Sequence, residues 1–141
     1  MRVIELIGVV EDGTPLIRRY AGAPVNPRVS ISYQQGSTLL VKLKVLTASG
    51  APVDISAVGT TVQLAVRKRP TPSGYAILTL TGVAPSPVEP GRMDFTFSAT
   101  SLPATRVAWG RYSYEVALSR TAYGIDKVVP ISPFLIEPGD L

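Results

Sequence analysis

The chain contains neither cysteine nor histidine. Without cysteine it can form no disulfide and no thiolate metal site, and cysteine usage says nothing about redox compartment. Without histidine the usual general base and the commonest transition-metal ligand are missing, and a Ser-His-Asp triad cannot be assembled. Charge is also sparse: Asp, Glu, Lys and Arg make up 17% of the residues, against roughly a quarter in ordinary globular chains. The ten carboxylates are scattered, with no D-x-D cluster and no helical pair, so neither a metal site nor a glycosidase dyad is expected. No G-x-G-x-x-G, P-loop or Ser-x-x-Lys sequence occurs. These absences point away from an enzyme and from any cofactor. Long hydrophobic runs are missing too. The apolar stretch Met1 to Val10 is interrupted by Arg2 and Glu5 and closed by Glu11-Asp12-Gly13, too short for a signal peptide or a membrane span. A soluble protein with no membrane contact is expected.

What the chain has in quantity is turns. Thirteen prolines and twelve glycines punctuate 141 residues, a length that suits one domain with a core large enough to need no staples. Between the turns, apolar residues recur at every second position. In Gly110-Arg111-Tyr112-Ser113-Tyr114-Glu115-Val116-Ala117-Leu118, the residues Tyr112, Tyr114, Val116 and Leu118 share one face. Arg111, Ser113, Glu115 and Ala117 take the other, the pattern of a half-buried strand. Thr60 to Arg67 alternates in the same way, with Val62, Leu64 and Val66 inward. Thr38 to Leu46 carries leucines on both faces, of which the one with Val41 and Leu43 is assigned to the core. Further strands are expected at Val3 to Val10, Leu16 to Tyr20, Arg28 to Tyr33 and Tyr75 to Thr81. Others are Arg92 to Ser98 with Phe95 and Phe97 inward, Asp126 to Val129, and Ile131 to Glu137. Thr100 to Val107 is the one candidate helical turn, with Thr or Ser as its cap and Pro103 near its start. Roughly eight to ten short strands at hairpin spacing make an all-β, antiparallel sandwich or barrel.

The first 27 residues are set apart from residues 28–141. Val3, Ile4, Leu6, Ile7, Val9 and Val10 leave few polar side chains between Arg2 and Glu11, so both faces of that strand call for cover. Either the strand joins its own domain's sheet, as consecutive strands commonly do, or residues 1–27 form an arm that contacts another chain. The Pro/Gly-rich stretch Ala21 to Pro27 favours the second, and these six aliphatic residues are its candidate interface. Trp109 joins them as a core plug or interface anchor, with stacking on a ligand as the alternative.

The formal net charge is +4. Arg67-Lys68-Arg69 is the one basic run of three and Arg18-Arg19 a smaller pair, while the other cations are dispersed. Nucleic-acid binders concentrate cations in a stripe interleaved with aromatics. No nucleic-acid partner is therefore expected, and the run reads as a solvated strand end that blunts a sheet edge. Low charge density leaves much of the surface neutral, which suits a protein in lasting contact with others.

From Val53 onward the chain resembles the immunoglobulin-like domain of phage tail and baseplate proteins, of the kind at the N-terminus of baseplate upper proteins. The resemblance rests on Gly50-Ala51-Pro52-Val53-Asp54-Ile55, Val62-Gln63-Leu64-Ala65-Val66-Arg67-Lys68 and Gly91-Arg92-Met93-Asp94-Phe95. It continues through Ser101-Leu102-Pro103-Ala104, the Gly110 to Leu118 alternation and Phe134-Leu135-Ile136-Glu137-Pro138. The order and spacing cover about two thirds of the chain, and the first 36 residues lie outside it. The resemblance implies an immunoglobulin-like β-sandwich in a virion assembled in the host cytoplasm. It implies a non-enzymatic tail or baseplate adaptor in a homo-oligomer or other multi-copy assembly, with other virion proteins as partners. A capsid decoration protein is the alternative, since those too are small sandwiches with arms. A carbohydrate-binding module using Trp109 and tyrosines is a third reading.

Overall fold

The computed structural model describes residues 2–10, 26–47, 49–55, 59–68, 75–103, 105–121 and 124–139. The strands are β1 (Arg2–Val10), β2 (Ile31–Gln34), β3 (Leu39–Thr47), β4 (Thr60–Arg67), β5 (Ala76–Thr81), β6 (Arg92–Phe97), β7 (Gly110–Arg120) and β8 (Gly124–Glu137). They form two sheets, one in the order β1-β3-β6 and one in the order β2-β8-β7-β4-β5, and the protein is a β-sandwich. The alternation seen in the sequence is what makes it so. Leu39, Val41, Leu43 and Val45 of β3 face Val62, Leu64 and Val66 of β4 and Tyr114, Val116 and Leu118 of β7 in one core, all buried. Each such side chain contributes roughly 1.5–3 kcal/mol.

Four of the six strand pairings among the described residues are antiparallel, but β1–β3 and β2–β8 are parallel. The expectation of a wholly antiparallel sandwich is corrected to that extent. Parallel neighbours need a long crossover, and the chain supplies one by sending β2 into the other sheet between β1 and β3. The proposed hairpin partner of the first strand, residues 16–20, lies outside the described residues.

Three local expectations change. Thr100 to Val107 makes no helix among its described residues. It forms two tight turns, with Ser101 N–H donating to Ser98 O at 3.1 Å and Val107 N–H to Pro103 O at 2.9 Å, and Leu102 is inserted into the core. Asp126 to Val129 and Ile131 to Glu137 are one strand. Pro130 does not break it, because the register against β7 shifts on both sides of Val116, and a bulge is where a strand tolerates a residue without an N–H. Finally, Ser113 and Glu115, expected to face solvent, are buried. β7 is the middle strand of five, and the Glu115 carboxylate is clasped from both neighbours, by Arg67 and by Lys127, each at 3.1 Å. The aliphatic stems of such partners cover the strand they reach across.

An aromatic ladder crosses the core. Tyr33 and Phe97 lie 5.5 Å apart, Phe97 and Phe134 5.6 Å, and Phe134 and Tyr114 5.9 Å between ring centroids. Its two ends are phenols hydrogen-bonded to backbone carbonyls: Tyr33 O–H meets Ser37 O and Ser98 O, each at 2.9 Å, and Tyr114 O–H donates to Val29 O at 2.5 Å. Burial pushes both phenols above their ordinary range, Tyr114 far more than Tyr33. A tyrosine that keeps its proton in the fold but releases it near pH 10 when unfolded contributes stability in full below about pH 10. That contribution is lost as pH rises further. Tyr114→Phe is therefore expected to cost about 1 kcal/mol at neutral pH through the lost hydrogen bond and to flatten the decline above about pH 10. Urea unfolding at neutral and alkaline pH measures both effects. An equally steep alkaline decline in parent and variant would refute the assignment.

Candidate functional site

The structure separates the residues singled out in the sequence. β1 is an edge strand of the domain's own sheet, its inward residues alternating with outward ones. Leu6 and Val10 point into the core at 2% exposure. They are corrected from interface to core residues, because the pleat turns them into the domain's own hydrophobic cluster rather than outward. Ile4 and Val9 are half-buried, whereas Val3 and Ile7 are 45% and 59% exposed. The C-terminal end of β1 is tied down by Asn26, whose side-chain amide accepts from Val9 N–H at 2.7 Å and donates to Val9 O at 2.9 Å. Both backbone groups of Val9 are thus capped on the edge away from β3, which blunts that end against strand addition. Trp109 is 68% exposed and is not a core plug. Tyr112, expected in the core, is half-buried at the end of the sandwich, and its hydroxyl donates to Ala108 O at 2.7 Å. Tyr114, by contrast, is core.

One concavity is not foreshadowed by any run of the sequence. It is a groove of about 890 Å³ across the β2, β8 and β7 end of the five-stranded sheet. Strand register explains its floor. Leu135 stands beside Ser32 of β2 on one side and Arg111 of β7 on the other, and Pro133 beside Ser113. Leu135 lies between buried Phe134 and Ile136, so it projects outward, and it is 39% exposed. Ile131 completes an aliphatic floor with Pro133 and Leu135.

Four cations line this groove: Arg2, Arg28, Lys68 and Arg111. No carboxylate lines it, and none of the four is in an ion pair among the described residues. Arg2 is held in place from the other sheet: its Nη1 donates to Ser32 O at 2.6 Å and to Ser32 Oγ at 3.1 Å. This contact occupies the free-edge carbonyl of β2 and leaves the other guanidinium donors available. Arg67, by contrast, belongs to the neighbouring buried cluster with Glu115. The basic run therefore divides, with Lys68 in the groove and Arg67 in a structural ion pair, while Arg69 lies outside the described residues.

Chemically, the groove offers fixed positive charge, serine hydroxyls and an aliphatic floor. Among the described residues no group of three metal-ligating side chains comes together, and no helix is long and apolar enough to cross a membrane.

No protein-family model matches the chain, and no curated protein matches it. Among solved structures the chain is similar to the N-terminal domain of phage TP901-1 ORF48, at 10% sequence identity and a TM-score of 0.44, over 96% of this chain and 98% of that one.

Proposed function

We propose that this chain is a non-enzymatic structural protein of a bacteriophage particle, a tail or baseplate attachment module that works through protein–protein contacts. The observation that carries the reading is an exposed basic and aliphatic groove on the face of the five-stranded sheet. The groove over β2, β8 and β7 combines cations that form no ion pair among the described residues with an aliphatic floor, and a 68% exposed tryptophan stands two residues from one of its arginines. Exposed aromatic and aliphatic surface with arginine at its rim is the chemistry of protein docking sites. The family motif residues support the reading in a second way, because they hold the structure together. Gly91 adopts φ +74° where a Cβ would sit 2.8 Å from Val45 O. Pro52 bridges to Leu46 beside it, and Leu102 plugs the core.

Quantitative mass spectrometry of purified particles tests the proposal. The chain is expected at a few to a few dozen copies per particle, as closed ring symmetry dictates for a tail component. Hundreds of copies would assign it to the capsid surface as a decoration protein instead, and absence from washed particles would overturn the virion reading. Exposed Trp109 also keeps the carbohydrate-binding alternative open to test. That alternative predicts hits on a glycan array that disappear in Trp109→Ala.

A further inference from the structure

We infer that the groove over β2, β8 and β7 is a docking site for an extended acidic segment of a partner protein, an inference that rests on the docking reading above and names the partner's chemistry. Three observations point to that occupant. Charge complementarity comes first. Arg2, Arg28, Lys68 and Arg111 converge on one concavity with no carboxylate among its described lining residues, and cations without an ion-pair partner attract anionic groups and steer their approach. The floor comes second. Ile131, Pro133 and Leu135 are aliphatic, a surface that receives apolar side chains. A nucleic acid would instead call for several exposed rings within the groove on which successive bases stack. Among the described lining residues Tyr112 is half-buried with its hydroxyl engaged by Ala108 O and Phe134 is buried, while exposed Trp109 stands outside the lining.

Backbone geometry comes third. The free-edge carbonyl of Ser32 is occupied by Arg2, so the partner is not recruited as a further strand along β2. It lies across the sheet face, held by its side chains. An extended segment projects alternate residues to opposite sides, about 6.5–7 Å apart along one side. Carboxylates on such a segment reach the arginines at the rim, where guanidinium–carboxylate pairs are the stronger kind of hydrogen bond. Its apolar residues settle on the aliphatic floor. The exposed positions Arg28 and Arg111 are the contacts whose loss is read most easily.

The test uses the whole purified chain and three fluorescent probes: a decapeptide of alternating glutamate and valine, the same peptide with glutamine for glutamate, and a thymidine decanucleotide. The acidic peptide is expected to bind, to weaken steeply with added salt, and to bind at least about tenfold more tightly than the glutamine peptide. In the double variant Arg28→Glu, Arg111→Glu its affinity is expected to fall by at least about tenfold, with the thermal midpoint unchanged because both side chains are exposed. Should the double variant fail to fold, Arg28→Gln and Arg111→Gln taken singly report the same loss in smaller steps. No measurable binding of the acidic peptide, or equal binding by parent and variant, overturns the inference. Tighter binding of the oligonucleotide than of the peptide replaces it with a nucleic-acid site. Because the assay needs no particle, it can fail while the chain is still found in virions, and it can succeed where the chain is absent from them.

Discussion

Replacing Phe97 with alanine is expected to destabilise the domain by about 3–5 kcal/mol, the range for deleting a large buried aromatic. Phe97 is fully buried at the end of β6, and its ring lies between those of Tyr33 and Phe134 at 5.5 and 5.6 Å. Its neighbours come from β2 and β8 in the opposite sheet, so the side chain joins the two layers as well as filling space. The cavity left behind cannot close without moving one sheet toward the other, and contacts with both rings are lost together. Set against a typical total of about 5–15 kcal/mol for a small domain, the loss is a large share. Urea or guanidinium unfolding reads it directly. A loss below about 1 kcal/mol would show that the ladder is not a main support of the sandwich, since that is the range of ordinary surface changes.

The second large effect is expected at Gly8. This residue faces inward on β1 between Leu6 and Val10, at the point where the edge of one sheet approaches the other. A Cβ built there would lie 2.7 Å from Val128 Cβ and 3.0 Å from Val128 O, and the second of these is backbone of β8. Gly8→Val therefore cannot be accommodated by a rotamer change and pushes β1 away from β8. Burial of Leu6 and Val10 goes with it, a loss of about 3–6 kcal/mol at roughly 1.5–3 kcal/mol per side chain. Amide hydrogen exchange locates the effect: protection is expected to fall in β1 and at the β3 residues paired with it. Unchanged protection of β1 in Gly8→Val would refute the argument. The same experiment bears on the arm idea. A strand that served only another chain would leave the isolated protein as stable with valine as with glycine.

The groove is assembled by strand pairing and not by any local run of residues. Arg2, Arg28, Lys68 and Arg111 are far apart in the chain and look dispersed. They meet because β1 reaches across to Ser32 and because β2 pairs with β8, not with a sequence neighbour. No local pattern in the sequence marks them, since Glu5 follows Arg2 and Glu115 follows Arg111 within four residues, and their clustering is specified only after the strands are paired. Glu115 failed as a solvent-facing residue for a related reason. Its alternation is that of an outward position, and only the central place of β7 in a five-stranded sheet puts cations on both sides of it. Tyr112 went the opposite way, since alternation puts it on the inner face without saying that the face ends there. Leu6 and Val10 were legible as strand residues but not as core, because an apolar strand reads the same whether its own domain or another chain covers it.

The sequence by itself determined the all-β class, the positions of seven of the eight strands among the described residues to within a few residues and most of the inward-facing side chains. Those follow from local rules: a two-residue period sorts faces, and glycine and proline set the turns. Tertiary structure alone decided the parallel pairings of β1 and β2, the continuity of β8 through Pro130, the exposure of Trp109 and the convergence of four cations on one groove. These depend on which strands become neighbours. That choice is made by contacts between residues distant in the chain, and a periodicity confined to one segment carries no record of it.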